Sequence, residues 1–360
     1  MNRLDKRTWP RRFHDRLSKP LPSSIDWIFS VLEAPRNLRS RLRGEGQKVP
    51  SAPYRRETLA RETTRITWAG HASFLIETHG IAILTDPVWS DRLAGGLRRL
   101  NAPGIPWEEL PRIDAVVISH NHYDHLDWGT IRRLPRDTLF LVPGGLAPWF
   151  RKRGYGNVVE HDWWESTLVG EVRVEFVPAH HWSRRGLWDT NKTLWGGWVV
   201  TPFGGEATYF AGDTAYGPCF KQIGRRHPRI GAALLPVGAY APRWYLRDVH
   251  TDPGEAVQAF QDLGARRMVP MHWGTFPLSH EPLLEPIELT RQAWAEAGQP
   301  RQALWDLALG ESRVVETVVE LPPLAATKAK GSRPARPRQA LEPMKPVQAL
   351  QRAPLRRAPT

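Results

Sequence analysis

From Arg65 onward the chain is built of short apolar runs broken by glycine, proline or polar clusters, too short for helices and suited to strands. A first set comprises Ile66–Trp68, Ser73–Glu77, Ile81–Thr85, Ala115–Ile118 and Leu139–Val142. A second comprises Val172–Val177, Gly197–Val200, Thr208–Ala211, Ala232–Pro236 and Met268–Met271. Between them the apolar spacing turns helical, predicting helices over Trp128–Leu134, Leu146–Arg153, Asp252–Leu263 and Pro286–Ala297. Two strand-rich halves, each with its own helices, predict an α+β fold: two mixed sheets packed face to face with helices on both outer faces, a four-layer αββα sandwich.

The two ends read differently. Residues 1–60 are rich in Arg and Pro, with one helical spacing, Ile25, Ile28, Phe29 and Leu32, after Ser23/Ser24 and closed by Pro35. After Leu324 the chain turns to Ala, Pro, Lys and Arg without periodicity and is expected to be disordered. The expected organisation is thus a basic extension (1–60), a folded catalytic domain (61–324) and a basic tail (325–360). Charge follows the same division. Residues 1–60 hold 14 Lys+Arg against 6 Asp+Glu and residues 325–360 hold 9 against 1, leaving 61–324 with 27 against 30 inside a chain of net charge +13. A nucleic-acid enzyme would carry its basic face on the catalytic body, so a nucleic-acid partner is disfavoured, whereas peripheral contact of the tails with an anionic membrane stays open. A single cysteine, Cys219, excludes an internal disulfide. No run reaches the ~18–20 apolar residues of a bilayer span, and the charged start Met1–Asp5 lacks a signal-peptide core, so a cytoplasmic protein is expected.

Chemistry concentrates where apolar runs end. After Ala115–Ile118 come Ser119-His120-Asn121-His122-Tyr123-Asp124-His125-Leu126-Asp127, with three imidazoles and two carboxylates in the eight positions from His120. Imidazole nitrogen and carboxylate oxygen are donors for zinc and other first-row divalent ions, and the spacing suits two ions. Three further runs end the same way: in Ala179-His180-His181-Trp182, in Gly212-Asp213, and in His272-Trp273-Gly274. Strand ends along one sheet edge bring distant segments together on a rigid support. His180 and His181 point to opposite sides in an extended segment, so one of them ligates.

These stretches, with Thr67–Ala72, Leu84–Val88, Asn191-Lys192, Leu194–Gly196, Phe210–Thr214, Gly238–Tyr240, Pro242–Trp244 and His272–Phe276, resemble the metallo-β-lactamase superfamily. Its His-x-His-x-Asp-His hallmark stands here as His120, His122, Asp124 and His125. Within the superfamily the chain looks most like the N-acylphosphatidylethanolamine-hydrolysing phospholipase D branch. The resemblance implies one zinc held by His120, His122 and His181, a second by Asp124, His125 and His272, and Asp213 bridging; iron or manganese would suit the same donors. The choice of His181 over His180 rests on Trp182 following it, as in the family. The resemblance further implies that Asp86 orients a ligand imidazole, that His250 sits in the pocket and assists the leaving group, and that Asp124 belongs to the catalytic set. His250 reads equally well as a residue before the helix cap at Thr251/Asp252, and His71 as a structural residue at the floor of the site.

The implied reaction is attack of metal-activated hydroxide on a phosphodiester, releasing N-acylethanolamine and phosphatidic acid from a phospholipid. The aromatic segment Tyr240–Tyr245 and the basic tails would help it meet lipid. The competing reading keeps the metals and changes the bond, to a lactone or another small-molecule ester; a nuclease role is a third.

Overall fold

A computed structural model of the chain describes residues 8–17, 48–94 and 96–315. The helix expected at residues 25–32 and the tail after Leu324 lie outside the described residues.

Alternation along the first set of strands sorts their side chains into two layers. β1 (Thr64–Gly70), β2 (Ser73–Thr78), β3 (Ile81–Thr85), β4 (Ala115–Val117), β5 (Leu139–Pro143) and β6 (Val158–His161) form one sheet with β13 (Ser312–Val315). Its order is β13-β1-β2-β3-β4-β5-β6. Ile66, Phe74, Ile76, Ile83, Ala115, Val117 and Leu141 point to one side, into a core shared with the other sheet. Leu75, Leu84, Val116, Phe140 and Val142 point to the other. There they meet Ile131 of α1 (Trp128–Ile131) and Ala147 and Phe150 of α2 (Ala147–Arg151). A period of two thus feeds two apolar layers from one sheet.

The second sheet has the order β12-β11-β10-β9-β8-β7. Its strands are β7 (Ser166–Val169), β8 (Val172–Val177), β9 (Gly197–Pro202), β10 (Ala207–Phe210), β11 (Ile230–Pro236) and β12 (Met268–Met271). Val174 and Phe176 of β8 and Trp198 and Val200 of β9 share the inter-sheet core. Outside it lie α3 (Cys219–Arg226), α5 (Pro253–Leu263) and α6 (Glu285–Glu296), with the short α4 (Arg243–Leu246) in a loop. Phe220, Ile223, Phe260, Leu263 and Trp294 are buried against this sheet. Each fully buried side chain of this size contributes roughly 1.5–3 kcal/mol. The expected four layers are the observed ones. Part of the segment before residue 61 is built into them: Phe13 is buried in the inter-sheet core, and Ser51 pairs with Leu309.

Strand direction sets where the chemistry falls. β3, β4, β5 and β6 run parallel to one another, and β10, β11 and β12 do likewise; two antiparallel steps make β1 parallel to β3 and β8 parallel to β10. The loops that leave the carboxyl ends of these strands carry every candidate ligand. No helix among the described residues is long and apolar enough to cross a membrane.

Candidate metal centre

His120, His122, Asp124 and His125 sit on the loop after β4, whose far end is fixed by a helix cap. The Asp127 carboxylate accepts from the backbone amides of Gly129 and Thr130 at 3.1 and 3.0 Å and from the Thr130 hydroxyl at 2.6 Å. Its oxygens are therefore committed to starting α1. His181 follows β8, Asp213 follows β10 and His272 follows β12. Gly212 adopts φ +61°, and a Cβ there would come 2.5 Å from Ser119 Cβ, so only glycine lets the segment bearing Asp213 approach the His loop. Gly212→Ala is expected to destabilise the protein by about 2–4 kcal/mol; a urea midpoint equal to that of the parent would contradict this.

Among the described residues, two of the four donor groups, His120–His122–His181–Asp213 and His71–Asp124–His125–His272, hold all seven expected residues. In the first, His122 Nδ1 lies 2.8 Å from His120 Nε2 and 3.3 Å from His181 Nε2. In the second, His125 Nε2 lies 3.3 Å from Asp124 Oδ2 and 3.3 Å from His272 Nε2. Asp213 spans both: Oδ2 is 3.1 Å from His125 Nε2, 3.8 Å from His181 Nε2 and 3.9 Å from His120 Nε2, while Oδ1 is 3.1 Å from His272 Nε2. All seven side chains expected from the sequence thus meet at one place. His180 does not join them; its ring packs on Gly217.

Whether a cation fits is decided by where the imidazole protons are held. His181 Nδ1 donates to the Val249 carbonyl at 2.8 Å, which leaves Nε2 as a bare acceptor. His125 Nδ1 donates to Asp86 at 2.7 Å, and in the neutral ring its Nε2 is likewise bare. Those lone pairs face other lone pairs and carboxylate oxygens in a buried site, an arrangement that needs a positive charge at its centre. Asp213 Oδ1, buried and 3.1 Å from His272 Nε2, adds to that need. The donor set therefore fits divalent metal. Asp86 is itself locked, accepting from the Ser119 amide at 2.7 Å and from the Ser119 hydroxyl.

Burial and neighbouring charge divide the imidazoles. Burial and the surrounding histidines hold His120 well below its usual value; burial and His181 take His122 to about 3; burial takes His181 to about 4 against the pull of Asp213. Burial would lower His125 and His272 too, but Asp213 and Asp124 outweigh it, carrying His125 well above its usual range and His272 to about 9. Both carboxylates are depressed: burial pushes them up, and His125 pulls them further down. Without metal, then, the imidazoles of His120, His122, His181 and His71 are neutral at pH 7, and those of His125 and His272 are protonated. Metal must displace those protons, so loading releases protons and affinity rises with pH from 7 through about 9. Titration calorimetry in buffers of different ionisation enthalpy is expected to show net proton release; identical heats would contradict it.

His71, expected at the floor of the site, is buried beside the second group with Nε2 3.0 Å from Asp124 Oδ2. The β1–β2 register shifts between Trp68 and Gly70, and His71 takes φ +55°, which turns its ring inward. A glycine before a histidine at a strand end was the only sequence signal. Arg185 was not anticipated: its guanidinium lies 4.0 Å from the Tyr123 ring and donates to the carbonyls of Asn121, His122 and Leu126, bracing the ligand loop. His250 is inside the site, Nδ1 4.0 Å from Asp213 Oδ2, and burial holds it well below its usual value. The following Asp252 caps α5 through a capping box with Glu255.

A family model described as a beta-lactamase superfamily domain matches residues 82–273. An uncharacterised protein of Mycobacterium bovis is 44% identical over 235 residues, 62% of this chain and 62% of that protein, so the match spans about three-fifths of that relative's length. N-acyl-phosphatidylethanolamine-hydrolyzing phospholipase D 1 of Caenorhabditis elegans is 38% identical over 246 residues, 63% of this chain and 68% of that protein. Among solved structures, isothiocyanate hydrolase from Delia radicum gut bacteria shares the fold, with a TM-score of 0.57 at 22% identity over 69% of this chain and 98% of that one. A family match that takes in more than half of the 360 residues, including the His loop and the strand ends that carry His181, Asp213 and His272, places the chain in the metallo-β-lactamase superfamily, among its metal-dependent hydrolases.

Proposed function

We propose that the protein is a binuclear zinc phosphodiesterase of the phospholipase D type, cleaving N-acylphosphatidylethanolamine-like phospholipids to N-acylethanolamine and phosphatidic acid. The observation that carries this reading is the 38% identity to the worm phospholipase D, joined to a donor set arranged around a shared carboxylate. In it, His120, His122 and His181 hold one ion and Asp124, His125 and His272 the other, with Asp213 shared; the nitrogen and oxygen donors suit iron or manganese as well. Ions held there supply an acidified water and neutralise charge on the substrate oxygens.

The chain's own residues do the rest. Asp86 and the Val249 carbonyl fix the tautomers of His125 and His181, so that both present Nε2 to the centre. His250, neutral and buried beside Asp213, is the proton-handling group: it takes a proton from the attacking water and passes it to the head-group oxygen as the P–O bond breaks. Peripheral contact with an anionic membrane from the cytoplasmic side belongs to the same reading, supported by the basic residues of 1–60 and 325–360. Metal-loaded protein is expected to release phosphatidic acid from N-acylphosphatidylethanolamine vesicles. Turnover of lactones or thioesters without such release would replace this reading with a small-molecule hydrolase.

A further inference from the structure

Large apolar side chains are exposed at the site end of the sandwich. Leu100 follows β3, Tyr123 follows β4, Leu187 and Trp188 follow β8, Trp244 follows β11 and Leu278 follows β12. All six stand on loops leaving the carboxyl ends of the strands that carry the metal centre. Trp188 is 81% and Leu187 76% exposed, a high cost in hydration for two adjacent residues unless something covers them.

They form the tip of a braced finger. Ser183 and Asn191 close its base, with the Asn191 amide donating to the Ser183 carbonyl at 2.7 Å and the Asn191 side-chain oxygen accepting from the Ser183 amide at 3.1 Å. The Asp189 carboxylate accepts from the amides of Arg185 and Gly186 at 3.0 and 2.7 Å and sets the turn. Arg12 donates to the Trp188 carbonyl at 3.2 Å and to the Thr190 carbonyl. Arg185 ties the finger to the loop bearing His122. The tip is therefore held outward on a fixed stalk beside the metal centre.

On the finger itself the exposed charge has one sign. Arg184 and Lys192 are exposed, while the finger's own anion, Asp189, is turned inward; elsewhere on the rim Arg98 is exposed beside Leu100 with Asp91 nearby, and Arg247 near Trp244 pairs with Asp248 at 3.8 Å. The sign on the finger runs against the body as a whole, where residues 61–324 carry 30 acidic to 27 basic side chains. Apolar tips, a tryptophan and flanking cations, spread over five loops rather than joined in a flat patch, match the interface of an anionic bilayer.

We propose that this rim is a membrane-docking face, with Leu187 and Trp188 entering the lipid interface and Arg184 and Lys192 meeting anionic head groups, so that the metal centre opens onto the bilayer. The proposal rests on the phospholipid reading for its purpose, but its test uses lipids that are not substrates, so the two fail separately. Metal-loaded, full-length protein is sedimented with phosphatidylcholine vesicles, with and without phosphatidylglycerol. The double variant Leu187→Ser/Trp188→Ser is expected to lower the partition coefficient at least about tenfold on both vesicle types, with metal content unchanged. Arg184→Ala/Lys192→Ala is expected to lower it roughly fivefold per charge removed, on anionic vesicles alone.

Leu168 and Phe203 provide the control. They are 69% and 85% exposed at the opposite end, where Phe203 donates its amide to the Glu171 carbonyl, and Leu168→Ser/Phe203→Ser should bind vesicles like the parent. Equal partitioning of parent and finger variant would overturn the proposal, as would an equal loss in the control. Unchanged partitioning with altered self-association in sedimentation velocity would overturn it too, assigning the face to a protein contact.

Discussion

Asp213→Ala is expected to lower hydrolysis by on the order of 10³-fold or more, the largest loss from any single change outside the His loop. Asp213 alone has oxygens within 4 Å of ring nitrogens in both donor groups, at 3.1 Å from His125 and His272, 3.8 Å from His181 and 3.9 Å from His120. Its removal takes away the carboxylate that faces both groups and strips His125 and His272 of the charge that sets their protonation. Turnover of a phosphodiester by the reloaded variant checks this, with far-UV circular dichroism to show the fold intact. Activity within tenfold of the parent would mean that Asp213 is not shared.

Asp86→Asn should come next, with a 10–100-fold loss of metal affinity and about 1–3 kcal/mol of stability. The Asp86 carboxylate touches no other candidate ligand than His125, yet it is fully buried and accepts from the Ser119 amide, the Ser119 hydroxyl and His125 Nδ1. An asparagine of the same shape must turn its NH₂ either toward the Ser119 amide or toward the Ser119 hydroxyl and His125 Nδ1, setting donor against donor. Competition with a chelator measures the affinity and a urea melt the stability. If the variant loses stability but keeps affinity, Asp86 serves the fold and not the ring orientation.

How much of this was legible in the sequence depended on burial. Strands covered on both faces, such as β4 and β12, appear as unbroken apolar runs, and the polar residue that ends each run marks the site. β6, β7 and β13 were not read as strands, and each is an edge strand of its sheet with half its residues toward solvent. Ser166–Val169 and Ser312–Val315 therefore carry no apolar signature. Helix α3 was missed because Gly224 interrupts an Arg-rich segment; the glycine is there because a Cβ would lie 2.6 Å from the Leu263 carbonyl of α5. The candidate donor set was legible because the His loop is contiguous. The place of His71 was not, since a register shift and a positive φ decide which way it faces. The exposed finger was illegible for a third reason: Leu187-Trp188 in a loop looks the same in sequence whether it folds inward or stands out.

The central claim is a two-metal centre, and elemental analysis of the purified protein tests it most directly. About two transition-metal ions per chain are expected, falling sharply in both Asp124→Ala and His272→Ala, because each variant breaks the same donor group. A content near zero in the parent, or variants that keep the parent's full complement, would contradict the account.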